Sequence, residues 1–207
     1  MSDRQRKINH AIHRRAPLSA AQVRAIALDP ASTDVQVLIT GKAGLGLETA
    51  QVLASAEPLI GLECLGLDDN PIGDEGLTAL ASSPLIAGLK RLFVCRCEIG
   101  PAGIIALARA APPKLRQLVL DDNTALDSEA LSPLASLPAL EELSLLGTKI
   151  DGAGAISLLQ GSTTLWGMTL WRTQITLAGA QQLREAARVL GRYVSIVTDF
   201  DDHLSAW

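Results

Sequence analysis

The chain has 207 residues, of which 48% are apolar, and a net charge of −4, values that fit one folded domain and exclude a disordered chain. No segment approaches the roughly 18 to 20 uninterrupted apolar residues that a membrane span needs, and the basic N-terminus lacks the apolar run of a secretory signal. We therefore expect no membrane span and a cytoplasmic protein.

The first 34 residues carry helix signals but no repeat. Ile8 and Ile12 are four residues apart, which indicates a helix over residues 3–15. Ser19 is a favourable N-cap for a second helix over residues 20–28. We interpret this part of the chain as an N-terminal helical cap.

From residue 35 the pattern L-x-x-L-x-L recurs six times, with copies 25 to 27 residues apart. The copies begin at Val35, Leu62, Leu89, Leu115, Leu140 and Leu165. A downstream column holds leucine in every copy: Leu53, Leu80, Leu107, Leu134, Leu158 and Leu183. Residues 35–190 are therefore six homologous units in register.

Each unit combines the apolar pattern of a short strand with that of a short helix. Neither element can bury its apolar side alone, so the units should stack, with a parallel sheet on the inner edge of a curved solenoid. The fourth unit has one extra residue between Asn123 and Leu126, which predicts a local bulge.

Position nine of the unit, counted from its first leucine, needs a side chain that hydrogen-bonds buried loop backbone. Its residues are Ala43, Asn70, Cys97, Asn123, Thr148 and Thr173. Asn satisfies backbone groups best, and Thr and Cys are weaker substitutes. Cys97 therefore has a structural explanation.

The chain ends on a last strand-like run containing Val194 and Ile196, followed by acidic residues and Trp207. We interpret residues 191–207 as a C-terminal cap that covers the open end of the stack.

The segment LECLGLDDNPIGDEGLTALA and its counterparts resemble the leucine-rich repeat family, in particular the long, ribonuclease-inhibitor-like class. The resemblance covers residues 35 to about 190. It implies an α/β solenoid, a right-handed β-α superhelix with the parallel sheet on the concave face and the helices on the convex face.

Side chains between the core leucines should point to the concave face, where they are candidate partner contacts. Large apolar groups occur there without a structural need, which is typical of interface hot spots. They are Phe93, Val119, Leu146 and Trp171, with Trp166 nearby. The charged candidates are Asp68 and Asp121 at position seven and Arg96 and Arg172 at position eight. Mixed signs favour a protein partner over a polyanion.

We therefore expect a non-enzymatic module that binds a protein on its concave face and needs no cofactor. The alternative is a regulator of a small GTPase, because the Ran GTPase-activating proteins resemble this repeat type; no activating residue transfers. A ubiquitin ligase would need a further catalytic domain. Fold similarity alone does not assign function.

The sequence offers weaker support for acid–base catalysis and for metal binding. The paired carboxylates lack an adjacent His or Lys for acid–base catalysis. Cys64, Cys95 and Cys97 are expected to be free thiols rather than metal ligands, with Cys95 pointing outward and Cys97 inward. His10 and His13 could share a helix face, but no third metal ligand is evident nearby.

Two further motifs have ordinary explanations. GKAGLGLETA at residues 41–50 lacks the Gly-Lys-Ser/Thr of a phosphate-binding loop and fits the repeat columns. The five basic residues among the first 15 could contact nucleic acid, an acidic lipid or the acidic body of another copy, although they are more typical of a solvated face. A nucleic-acid partner is thus not expected, and the oligomeric state is left open.

Overall fold

The computed structural model describes residues 18–201, in which short strands alternate with helices. The strands are β1 (Val37–Ile39), β2 (Cys64–Gly66), β3 (Arg91–Phe93), β4 (Gln117–Val119), β5 (Glu142–Ser144), β6 (Gly167–Leu170) and β7 (Ser195–Thr198). The α-helices are α1 (Ala20–Leu28), α2 (Leu47–Ala54), α3 (Gly73–Ala81), α4 (Pro101–Ala110), α5 (Gly152–Gly161) and α6 (Leu177–Val189). Short 3₁₀ turns occupy Pro30–Asp34, Glu57–Leu59, Pro84–Ala87, Ser128–Ala130 and Ser132–Ser136.

The seven strands form one parallel sheet in chain order, which confirms the predicted strand–helix solenoid. The repeat register is kept from strand to strand, because the central residue of each strand pairs with that of the next. These residues are Leu38, Leu65, Leu92, Leu118, Leu143, Met168 and Ile196, all of which are buried. The leucines that precede and follow them in each repeat extend this row into one continuous core.

The helix predicted over residues 20–28 is confirmed as α1. The Ser19 hydroxyl accepts a hydrogen bond from the Gln22 N–H, and the Gln22 side chain accepts one from the Ser19 N–H, which is a capping box. Val23 and Ile26 of α1 are buried in the common core. The helix predicted over residues 3–15 lies outside the described residues.

The fourth repeat is an exception to the expectation of one α-helix per unit. Two 3₁₀ turns, Ser128–Ala130 and Ser132–Ser136, replace the helix. Pro133 explains the change, because proline has no N–H to donate and its ring would clash with a helical carbonyl four residues earlier. Leu131 and Leu134 are nevertheless buried, so the core column continues through this repeat.

The extra residue of this repeat forms part of a turn that the Leu126 N–H closes by donating to the Asn123 carbonyl at 3.0 Å. Leu126 therefore still reaches the core.

The Asn70 carboxamide joins two repeats inside the stack. Its Oδ1 accepts hydrogen bonds from the N–H groups of Ala43 and Leu45, at 3.1 and 2.9 Å. Its Nδ2 donates to the carbonyls of Thr40 and Leu67, at 3.0 and 2.8 Å. The structural role expected at position nine is therefore confirmed.

Asn123 makes the same set of bonds at position nine, whereas residues with fewer polar atoms make fewer of them. Asn123 again accepts two N–H groups of the preceding repeat and donates to two carbonyls. Thr148 and Thr173 each donate to one carbonyl within their own repeat. The Cys97 thiol donates weakly to the Leu67 carbonyl at 3.1 Å, so its structural explanation is confirmed.

After the sixth repeat the chain adds one more strand to the sheet. The predicted strand around Ile196 is confirmed as β7, and the Asp201 carboxylate accepts hydrogen bonds from the N–H and hydroxyl of Thr198, at 2.5 and 2.9 Å. The division of the chain into two caps and six repeats stays a prediction.

None of the helices between residues 18 and 201 is both long enough and apolar enough to cross a membrane.

Replacing Asn70 by Ala should lower the free energy of unfolding by about 3 kcal/mol or more, because it leaves several buried backbone groups of two repeats without partners. Thr148→Ala is the matched control at the same repeat position, and it should cost only about 1 kcal/mol because the one hydrogen bond of its hydroxyl is lost. Urea unfolding of both variants measures the difference. Equal losses would contradict the role given to the carboxamide.

Candidate functional site

The face of the sheet opposite the helices carries the side chains of positions three and five. The residues of position five lie side by side across the sheet: Ile39, Gly66, Phe93, Val119, Ser144, Thr169 and Val197. Phe93 and Val119 are partly buried in this row, and the Ile39 side chain covers Gly66. Ile39, Phe93 and Val119 thus make the first part of the row apolar, and the small polar residues Ser144 and Thr169 follow before Val197.

A groove of about 250 Å³ lies over β4 to β7 on this face. Its lining includes Gln117, Val119, Glu142, Ser144, Trp166, Gly167, Thr169, Ser195 and Val197. Of the predicted contact residues, the groove therefore brings together Val119 and Trp166. Trp166 is 45% exposed although it is a large apolar side chain.

The groove exists because β6 presents no side chain at position three. A Cβ atom on Gly167 would lie 3.5 Å from the Glu142 Cγ, which is ordinary contact, so the stem of Glu142 runs beside the glycine. The Gln117 Nε2 donates to the Glu142 Oε2 at 2.8 Å and holds the carboxylate at the groove. Trp166, Glu142 and Gln117 thus surround the space that Gly167 leaves open.

Three of the predicted apolar contacts lie outside this groove. Phe93 in the third repeat and Leu146 in the fifth are both partly buried. Trp171 is 46% exposed, and its indole Nε1 donates to the Thr198 carbonyl at 2.9 Å. Trp171 therefore holds the end of β7 in place, in addition to any contact it makes with a partner.

The carboxylates of Asp68 and Asp121 at position seven connect adjacent repeats. The Asp68 Oδ1 accepts the Cys95 N–H at 2.8 Å. The Asp121 Oδ1 accepts the Leu146 N–H at 3.0 Å and the Ser144 hydroxyl at 2.6 Å. Burial is the main reason that the pKa of Asp121 is raised above its usual range, and the nearby carboxylates add to it. Both side chains thus have a structural function.

Cys95 is buried, with 8% of its surface exposed, so the outward orientation expected for it does not expose its thiol. The Asp68 side chain of the preceding repeat lies beside it and accepts its N–H. Burial raises the pKa of the Cys95 thiol far above its usual range, and the charge of Asp68 raises it further. Burial also raises the pKa of Cys97 to about 12.

Cys64, Cys95 and Cys97 are free thiols. Between residues 18 and 201, no group of three or more His, Cys, Asp or Glu side chains is arranged to hold a metal ion.

Position eight has the same backbone conformation in all six repeats. Each residue there has a positive φ, between 51° and 69°, and turns the chain out of the strand: Lys42, Asp69, Arg96, Asp122, Gly147 and Arg172. Glycine adopts this conformation at no cost, whereas the other residues pay a small steric penalty. Five of the six side chains carry charges, which alternate in sign along the first four repeats.

The charges of position eight pair with one another. The Arg96 guanidinium donates to both Asp69 oxygens, at 2.5 and 3.0 Å, and to Asp122 at 3.2 Å. Arg172 also donates to Asp122, and Gly147 leaves the space between these two repeats free of a side chain. The hydrogen bond from Arg96 lowers the pKa of Asp69. Arg96 and Arg172 thus have acidic partners within the chain.

Comparison with known proteins agrees with this geometry. A family model described as Leucine Rich repeat matches residues 62–81, which span β2 and α3. Together with seven parallel strands in register, this match decides the fold. The chain is a leucine-rich repeat solenoid. Its assignment to the ribonuclease-inhibitor-like class stays a prediction.

One solved structure similar to this leucine-rich repeat chain is the crystal structure of the Rad7 and Elc1 complex in yeast. The sequences are 16% identical, the match covers 86% of this chain and 66% of that chain, and the TM-score is 0.41. The chain thus spans just under two thirds of that protein, and a likeness this distant carries no functional argument. No curated protein matches the sequence significantly.

The predicted contacts include no residue of position three, although the residues of this position form much of the groove. Gln117, Glu142, Gly167 and Ser195 occupy this row in β4 to β7. Strand alternation places position three on the same face as position five, so the repeat alignment contained the necessary signal.

Asp121→Asn should raise the free energy of unfolding near neutral pH. The folded state raises the pKa of this carboxyl, so its ionised form destabilises the fold above that pKa, and the cost disappears as the pH falls through it. Asn keeps an oxygen that can accept the Leu146 N–H. The gain should therefore shrink in acid, which urea unfolding across a pH series measures.

Asp69→Asn is the control, and its effect on the free energy of unfolding should be opposite in sign to that of Asp121→Asn. Arg96 lowers the pKa of Asp69, so its ionised form stabilises the fold above the ordinary carboxyl pKa, and this contribution is lost as the pH falls through the lowered pKa. The variant should be slightly less stable than the wild type at neutral pH, and the two should converge in acid. The same pH trend for both variants would contradict these assignments.

Proposed function

We propose that this chain is a non-enzymatic protein-binding module that docks its partner on the concave face of the sheet, in the groove over β4 to β7. The observation that carries the proposal is Trp166, a half-exposed indole beside an open groove on a surface where the fold requires no large side chain. Trp is among the residues that contribute most binding energy in protein interfaces.

The shape of the groove favours a protein over a metabolite. Small-molecule sites bury most of the ligand surface, whereas this groove of about 250 Å³ is open to solvent. A volume of this size suits one or two side chains of a docked protein. None of the described residues that line it is a His, Lys or Cys, which supports binding rather than catalysis.

The wider contact surface extends from the groove towards the N-terminal repeats. Phe93 and Val119 continue the apolar row at position five, and Leu146 and Trp171 lie at position seven. We expect these four residues to surround the central contact at Trp166.

The charged residues Asp68, Asp121, Arg96 and Arg172 should contribute less. Each of them already bonds within the chain, and a charge that keeps such a partner adds little net binding energy. We propose that they form the rim of the interface.

Affinity capture from a native lysate tests the docking site with matched variants. Trp166→Ala removes the exposed indole, and Gly167→Val fills the groove at a position where a Cβ meets no closer contact than 3.5 Å. Both variants should lose the partner that the wild type recovers. The loss should be at least about 2 kcal/mol in affinity, about 30-fold, once the interaction is measured with purified components.

Tyr193→Ala is the control variant. Its side chain is 90% exposed and lies outside the groove, so removing this aromatic ring should leave partner recovery unchanged. Recovery of the same partner by wild type, Trp166→Ala and Gly167→Val would refute docking in the groove. If the partner is a small GTPase, its rate of GTP hydrolysis with and without this protein separates binding from activation.

A further inference from the structure

We infer that the groove receives an arginine side chain of the partner protein, held between the Glu142 carboxylate and the Trp166 indole. This inference rests on the proposed function and adds the chemistry of the partner segment that enters the groove.

The first argument is the charge of Glu142. Two other carboxylates, each directly before a strand, are already paired: Glu63 with Lys90 at 2.8 Å, and Glu141 with Arg116 at 3.2 Å. Within residues 18–201, no Lys or Arg pairs with Glu142, whose Oε2 accepts only the neutral amide of Gln117. The groove therefore holds a carboxylate that a cation from outside can neutralise.

The second argument is hydrogen-bonding geometry. Gln117 and Glu142 lie side by side on adjacent strands, and their mutual hydrogen bond uses the Gln117 Nε2 and the Glu142 Oε2. No donor among residues 18–201 bonds to the Gln117 Oε1 or the Glu142 Oε1, so both remain available as acceptors on residues that line the groove. A guanidinium presents parallel N–H donors that can reach two neighbouring acceptors, whereas a lysine ammonium is a point charge.

The third argument is the apolar part of the lining. The Trp166 indole supplies an aromatic surface for a cation, and guanidinium groups are the side chains that most often use one. Val119 and Val197 line the same groove and can contact the methylene stem of the arginine. An aliphatic partner residue would leave the Glu142 carboxylate buried without a cation, which is unfavourable.

Titration of the full chain with N-acetyl-arginine N-methylamide, followed by amide and indole NMR signals, tests the inference directly. We expect saturable shifts at the Trp166 indole and at the amides of Gly167 and Ser195. The citrulline analogue has nearly the same shape without the charge, and it should produce no saturable shift. The lysine analogue should bind more weakly than the arginine derivative.

Glu142→Gln should weaken binding of the arginine derivative by at least about tenfold, because it removes the negative charge, and hydrogen bonds between charged groups are about twice as strong as those between neutral ones. Glu141→Gln is the matched control one residue away; its carboxylate already pairs with Arg116 and does not line the groove. It should leave binding unchanged. Thermal unfolding of both variants verifies that they are folded.

The inference is overturned if the arginine derivative produces no saturable shift at these signals, if citrulline binds equally well, or if Glu142→Gln binds like the wild type. Failure of the docking site itself is a separate result. If Trp166→Ala loses the partner while the arginine derivative does not bind, the docking proposal stands and the inference that an arginine enters the groove is wrong. If Trp166→Ala keeps the partner, the docking proposal fails.

Discussion

The fold depends on the need to satisfy buried backbone groups between repeats. Strands of three or four residues make few interstrand hydrogen bonds, and the turns that follow them enter the core, where an unpaired N–H or C=O is costly. The carboxamide of Asn70 accepts and donates at once, so it joins the turn of one repeat to that of the preceding one. In the repeats that carry Asn70 and Asn123, this connection fixes the turn that follows the strand against the preceding repeat.

Much of the fold could be predicted because each of the six repeats places apolar residues at the same positions, where they must be buried. Leu65 and Leu92 recur at positions that only a regular stack explains, and the structure pairs them directly. Pro133 was visible in the sequence, but its effect depended on where the helix would begin. The repeat average predicts a helix there, whereas a single proline prevents one in this repeat alone.

The candidate site was predicted less completely, for a related reason. Alternation identifies which side chains of a strand face outward, and it places Val119 on the exposed face. It does not tell how far neighbouring side chains cover a residue, so Cys95 is buried although the pattern indicates exposure. The groove depends on an absent side chain at Gly167 and on the direction that Glu142 takes beside it. Large apolar residues attract notice in a sequence, whereas a glycine that creates space does not.

The alternating charges at position eight restrict how such a chain can gain or lose repeats. Lys42, Asp69, Arg96 and Asp122 follow one another with opposite signs on adjacent turns. Removal of the repeat that contains Arg96 would place two carboxylates side by side, whereas removal of two consecutive repeats from this part of the stack would keep the alternation. In this part of the solenoid the charge pattern therefore recurs every two repeats, whereas the strand and helix pattern recurs in every one.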